Sequence, residues 1–223
     1  MKYLPPSVQS FKAFNVVNIS DIEDALIDEN GYLRCLSAKE LLSFGFDRLR
    51  LFMHVHAIYQ MPTVELIEKI KNIIGDKTCI EIGAGHGDIG RHLNIKMTDS
   101  HQQLEPHITE FYKRIKQPII NYPSDVEKLD YKAAIEQYKP DIVLGCWVTH
   151  KYNPDLHHLG GNEAGMELSY ILKHVKQFVF VGNHEVHKNW QFEKNIHCYD
   201  FHYIDGIVSR ASTGRNFIGV FDG

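Results

Sequence analysis

The stretch Cys79-Ile80-Glu81-Ile82-Gly83-Ala84-Gly85-His86-Gly87-Asp88-Ile89-Gly90 limits what this chain can become more than any other part of it. Its first four residues read as a buried strand, and the strand empties into glycines at every second position. Glycine reaches φ > 0 and has no Cβ, so such a turn can reverse the chain sharply and let another molecule lie against the backbone. A tight strand-to-helix turn would use the same residues, but an acidic residue ahead of three alternating glycines favours a nucleotide-type ligand. Spacing narrows the ligand further. A G-x-G-x-x-G dinucleotide fingerprint begun at Gly83 needs its third glycine at position 88, where Asp88 stands, and a carboxylate there repels a pyrophosphate. The G-x-x-x-x-G-K-[ST] phosphate loop is absent too. The site suits a ligand without phosphates.

The remaining sequence supplies a frame for this turn. Pro5-Pro6 and the turn signal at Asn30-Gly31 are all that the opening offers. Ser37-Ala38-Lys39-Glu40 has the form of a capping box, and Leu41, Leu42, Phe44, Leu49, Phe52 and Val55 predict a helix over 37–59, interrupted at Gly45. Pro62-Thr63 opens a second helix with Ile67, Ile70, Ile73 and Ile74 on one face and Gly75 placed to end it. Beyond it, short apolar runs at 79–82, 95–98, 118–121, 141–146 and 177–181 alternate with helical stretches at 88–93, 108–115, 131–138 and 163–175. Near-continuous apolar strands in such alternation predict a parallel sheet covered on both faces. The runs 201–204 and 217–221 read instead as a closing antiparallel pair. The expected fold class is therefore α/β and Rossmann-like: a mostly parallel seven-stranded sheet with helices on both faces and a C-terminal antiparallel hairpin. Residues 1–61 are expected as an N-terminal helical extension or cap, and residues 62–223 as the Rossmann-like domain.

From Glu81 through Gly87 the pattern is an acidic residue, any residue, then G-x-G-x-G at the end of a first strand. It resembles the first motif of the class I S-adenosylmethionine-dependent methyltransferases. The resemblance covers residues 62–223 as an architecture, and its specific part is this motif. It implies S-adenosylmethionine as cofactor, held by Glu81, Gly83, Ala84, Gly85 and Gly87. It implies that Asp99, at the end of the second run with Ser100 beside it, binds the ribose, because a carboxylate can accept from both hydroxyls. Asp125 and Val126 resemble the acidic-then-apolar pair that such proteins set against the adenine amine and ring. The fourth run ends in Leu144-Gly145-Cys146-Trp147-Val148-Thr149-His150, where the family faces the methyl group and its acceptor. There Cys146 is a cofactor-side candidate and His150 the candidate general base, since imidazole titrates near neutral pH. A loop histidine in solvent would look the same in sequence, and Trp147 suits either a stacking ring or a pocket wall. The chain departs from the family's sharper subclasses at this point. It has no D-P-P-Y signature, and Cys146 lacks the flanking proline of the cytosine C5 enzymes, which favours a small buried hydrophobe over a nucleophile there. The loop 151–165, with His157, His158 and Gly160-Gly161, stands where an acceptor lid would.

Composition bears mainly on partners. Hydrophobic residues at 43% and charged residues at 23% describe an ordinary globular chain with a full core. A formal charge of −4 gives no general attraction to phosphate backbones, although the total leaves room for a local basic patch. The expected acceptor is thus a small molecule, ahead of a protein side chain, with nucleic acid unsupported by charge. Among the 14 histidines, His54 and His56, His157 and His158, and His184 and His187 lack a recognised ligand spacing with thiolates or carboxylates, so no metal is expected. Cys35, Cys79, Cys146 and Cys198 contain no CxxC pair, which fits reduced thiols. Neither a signal-like start nor a run of about 18 apolar residues is present, so a cytoplasmic protein without a membrane partner is expected. Two other functions stay compatible with these residues: a non-catalytic methyltransferase-like binding or regulatory module, and an enzyme using the same fold for nicotinamide-dependent reduction or aminopropyl transfer. Asp88 weighs against the nicotinamide enzyme, and the aminopropyl transferase lacks a clear acidic gate.

Overall fold

The computed structural model describes residues 18–189 and 198–223. The Pro5-Pro6 start and the Cys198 thiol lie outside the described residues. Four helices precede the sheet: α1 (Ser20–Leu26), α2 (Ala38–Ser43), α3 (Phe46–Val55) and α4 (Val64–Ile74). The capping box forms at Ser37, whose hydroxyl accepts from the Glu40 N–H while the Glu40 carboxylate accepts from the Ser37 N–H. Gly45, at φ +86, splits the helix expected over 37–59 into α2 and α3. Thr63 caps α4 by accepting from the Leu66 N–H, and Gly75 ends it at φ +57.

The sheet follows as β1 (Cys79–Ile82), α5 (Asp88–Leu93), β2 (Lys96–Asp99), α6 (Pro106–Arg114), β3 (Val126–Lys128), α7 (Tyr131–Tyr138), β4 (Ile142–Cys146), α8 (Leu168–His174), β5 (Gln177–Asn183), β6 (Cys198–His202) and β7 (Asn216–Asp222). Among the described residues these strands make one seven-stranded sheet in the order β3-β2-β1-β4-β5-β7-β6. The first five are parallel, and β7 runs antiparallel between β5 and β6. This is the expected Rossmann-like α/β sheet with its C-terminal antiparallel pair.

One strand differs from expectation. The third strand is Val126–Lys128, not 118–121. The apolar run at 118–121 instead crosses the glycine turn as coil, with Ile120 buried against Gly85. Pro118 has no N–H to offer a ladder, whereas Val126 pairs with Met97 and is buried. The helix expected over 163–175 begins only at Leu168, because His150 and Lys151 bridge to Met166 and Asn162 before it.

Alternate residues of the central strands face opposite layers. Ile80, Ile82, Val143 and Phe178 pack with Ala134 and Ile135 of α7 and Ile171 of α8. Leu144, Val179, Val181 and Ile218 pack with Leu66, Ile67 and Ile70 of α4 and Ile89 of α5. A third cluster joins the leading helices to the end of the chain: Ile22, Leu26, Leu41, Leu49, Phe52 and Met53 bury together with Met61 and Val208. Among the described residues no helix is long and apolar enough to cross a membrane.

Candidate functional site

The strand order reverses at β1, which has β2 on one side and β4 on the other. Loops leaving the two carboxyl ends part there and leave a crevice. A cavity of about 200 Å³ occupies it.

Its floor is the glycine turn. Gly83, Gly85 and Gly87 adopt φ +58, +57 and +73, values that side-chain-bearing residues rarely reach. Gly83, Ala84 and Gly85 line the cavity. Gly87 does not. A Cβ there would sit 2.7 Å from Met97 Sδ and 2.9 Å from Val126 Cγ2, so this glycine exists for packing against β2 and β3.

Glu81 lies beneath the turn and is 1% exposed. Its Oε2 accepts from the Gly90 N–H at 2.8 Å, which ties β1 to α5. Burial pushes its carboxyl up to about 8, and the same burial raises the Cys146 thiol, which hydrogen-bonds to Glu81. Both residues reach the cavity wall. Burial also lifts Asp88, at the first turn of α5, to about 6 against the pull of Arg91.

Asp99 ends β2 on the cavity wall with Ser100 beside it. Its Oδ2 accepts from the Gly85 N–H at 3.0 Å and its Oδ1 from the His101 N–H at 2.8 Å. The Tyr122 hydroxyl donates as well, while burial raises the carboxyl despite these donors. A carboxylate offers about four acceptor positions. Three donors occupy it, which leaves about one acceptor position open.

Three other residues singled out in the sequence stand apart from the wall or face elsewhere. Asp125 is held by Arg91, whose Nε and Nη2 each donate to it at 2.9 Å, and Arg91 lies 3.9 Å over the Tyr32 ring. Val126 is buried in β3 against the Gly87 backbone. His150 turns toward the loop that follows, its ring meeting the backbone of Leu159 and Gly160, and burial lowers its pKa. The backbone holds it there: His150 bridges to Met166, and its carbonyl accepts from the Asn162 N–H at 3.0 Å. The histidine pairs are not drawn together into a metal-ligand cluster: His56 bonds to Glu23 at 2.8 Å, His157 to Tyr152 at 2.9 Å and His184 to Tyr203 at 2.9 Å.

The wall also holds residues that sequence reasoning passed over. With β3 at 126–128, the residues leaving its carboxyl end are Leu129 and Asp130, and both line the cavity. Asp130 caps α7, its Oδ1 accepting from the Lys132 and Ala133 N–H groups at 2.8 and 3.2 Å. The D-Y pair opening a helical stretch was the available signal. Tyr59 and Gln60 form part of the roof. Gln60 donates to the carbonyls of Met61 and Val208 at 3.1 and 2.8 Å and accepts from Trp147 Nε1 at 3.1 Å. Nothing local in the sequence announces a contact between residues 60 and 208.

No protein-family model and no curated protein matches the chain. Solved structures do. The 16S rRNA methylase RmtB is 13% identical over 83% of this chain and 71% of its own, with a TM-score of 0.38. The 16S rRNA methylase ArmA is 11% identical over 84% of this chain and 91% of its own, with a TM-score of 0.38. TehB from Haemophilus influenzae is 11% identical over 71% of this chain and 61% of its own, with a TM-score of 0.34. The fold is a Rossmann-like α/β fold with a C-terminal antiparallel pair. At these identities the likeness concerns the fold alone. The preference for a small-molecule acceptor is withdrawn: it rested on total charge, and the solved structures similar to this chain include two 16S rRNA methylases and the Pnkp1/Rnl/Hen1 RNA repair complex. The physical flaw lay in using total charge. A net −4 sums the whole surface and says nothing of the few residues around one cavity.

Proposed function

We propose that this protein is an S-adenosylmethionine-dependent methyltransferase. The observation that carries the reading is the acidic wall of the cavity: Asp88, Asp99 and Asp130 line it together with Glu81, whose carboxyl, raised to about 8, gives up its proton to a cation beside it, and among the lining residues there is no lysine or arginine. A dinucleotide would bring its phosphates against these carboxylates. S-adenosylmethionine has no phosphate, and its sulfonium and ammonium outweigh its one carboxylate, so the wall attracts it.

When bound, the cofactor supplies an electrophilic methyl carbon on its sulfonium. The chain's own residues do the rest by binding and aligning. Gly83, Ala84 and Gly85 present near-bare backbone to the methionine part, with Cys146 beside it. Asp99 accepts from the ribose, and Ser100 flanks it. Leu129 and Asp130 take the ring and amine of the adenine, the part that sequence resemblance assigned to Asp125 and Val126. Gly87 and Asp125 support the turn from behind. With His150 turned off the wall, the acceptor is one whose lone pair is already free, and alignment rather than proton abstraction accelerates transfer. The segment ahead of Pro62 acts as the roof that closes the acceptor side.

Calorimetric titration with S-adenosylmethionine, its demethylated product and NAD tests the reading. Binding of the two sulfur nucleosides supports it. Binding of NAD alone, or of none of the three, overturns it.

A further inference from the structure

The cavity is acidic inside, yet among the described residues cations without an ion pair and exposed rings lie on the side of the sheet where it opens. Tyr59 lines the cavity, and the Arg210 guanidinium lies 3.7 Å from the centroid of its ring. From Arg210 a short loop leads to Arg215, which lies 3.9 Å from the Tyr203 ring. Tyr203 is 40% exposed and Phe201 36%, their rings 6.4 Å apart and within 20° of parallel. Topology puts these groups on the face where the cavity opens. Tyr203 follows β6, which runs with the parallel strands, and Arg215 precedes β7, which runs against them. Across the mouth, Tyr112 of α6 lines the cavity and hydrogen-bonds to Tyr59. The last turn of α6 carries Lys113 and Arg114, and exposed Lys116 follows. Among the described residues, none of Lys113, Arg114, Lys116, Arg210 and Arg215 forms an ion pair with a carboxylate.

We infer that this rim is a docking strip for single-stranded nucleic acid, which offers a base to the cavity as methyl acceptor. Unpaired cations beside exposed rings match a polymer of phosphates and planar bases: the cations follow the backbone while bases stack on Tyr203 and Phe201. A base within a stacked duplex cannot pass the Tyr59 and Tyr112 rings into a recessed cavity without leaving its stack, so a single strand is the matching form. The acceptor role rests on the methyltransferase reading, whereas the docking role does not.

The test is fluorescence anisotropy with labelled single-stranded RNA and DNA oligonucleotides of about ten residues, the matching duplexes, and inorganic polyphosphate as competitor, over a range of salt. Single strands should bind more tightly than duplexes, and whether RNA or DNA is preferred names the natural strand. Neutralising exposed Lys113, Lys116 and Arg215 together with glutamine should weaken binding and flatten the slope of log K against log salt by about 0.7 per cation, about 2 in all. Tyr203→Ala, which keeps every charge, should weaken single-strand binding about tenfold. Equal binding of duplex and single strand, no binding of either, or full affinity in the neutralised or Tyr203→Ala protein would overturn the inference. The titration with the demethylated product separates the two readings: strand binding without cofactor binding removes the methyltransferase reading alone, and cofactor binding without strand binding removes the strip alone.

Discussion

Replacing Asp99 by asparagine exchanges one oxygen for an NH2 group and keeps the shape of the side chain. In the native protein both oxygens are in use, one by the Gly85 N–H at 3.0 Å and the other by the His101 N–H at 2.8 Å. An asparagine has a single oxygen, so one of these N–H groups must face another donor. Asp99 is 7% exposed, and water cannot readily replace the missing partner. A lost hydrogen bond with a buried unsatisfied donor costs about 1–3 kcal/mol. Folding bears that cost, and for a chain of this size the melting temperature should fall by about 2–4 °C per kcal/mol. Cofactor binding bears a second one, because the amide lacks the acceptor position that the carboxylate keeps open for the ribose. At 1.4 kcal/mol per tenfold, a further 1–3 kcal/mol weakens binding about 5- to 150-fold. Calorimetric titration of Asp99→Asn with the demethylated product, beside a thermal scan of the same sample, reads both. A lower melting temperature with affinity within twofold of the native protein would mean that Asp99 braces the glycine turn and touches no ligand.

Glu81 sets a pH dependence. Its carboxyl is raised from 4.5 to about 8 in the folded protein, so the folded state holds the proton more tightly. The stabilisation is complete below the unfolded value of 4.5 and is lost as pH rises toward 8; urea midpoints should fall across that window in the native protein and less in Glu81→Gln, and parallel profiles would contradict this. A cationic ligand beside Glu81 and Asp88 should drive off protons near neutral pH, giving calorimetric heats that differ between buffers of different ionisation enthalpy; identical heats would count against it. Gly87→Ala should lower stability by about 1–3 kcal/mol through the clash with Met97 and Val126, with product affinity unchanged in the folded fraction. Thr63→Val removes the buried hydroxyl that accepts from the Leu66 N–H and donates to the Gly206 carbonyl, and chemical denaturation should show a loss of about 1–3 kcal/mol.

Much of the frame was legible because buried parallel strands are continuously apolar and helix ends carry their own signals. The strand at 79–82 and the helices at 88–93 and 131–138 fall where the residues indicate. β3 was not legible. It is an edge strand of three residues in which Val126 alone is apolar, while the apolar run at 118–121 serves as a cover over the glycine turn. That displacement carried the adenine-side expectation to Asp125 and Val126, three to five residues before the pair that lines the cavity. Gly87 fits a ligand motif by spacing, but spacing does not reveal that Met97 and Val126 stand behind its missing Cβ. His150 follows a strand end as a base would, but its backbone pairs with Met166 and Asn162, contacts that no local pattern announces. The roof and rim depend on contacts between residues far apart in the chain, which no local pattern encodes.

The Gln60 amide, which holds Met61, Val208 and Trp147 at once, has a consequence for how the protein is made. Its partners lie 1, 148 and 87 residues away along the chain. A ribosome would deliver the glycine turn and β4 well before Val208, and the leading helices would meanwhile keep Met61 without its late partner in the third core cluster. The roof over the cavity therefore closes last. A nascent chain carries the floor of the site before Val208 is made, so the contact that fixes Gln60 over the cavity forms only after the strands of that floor are in place.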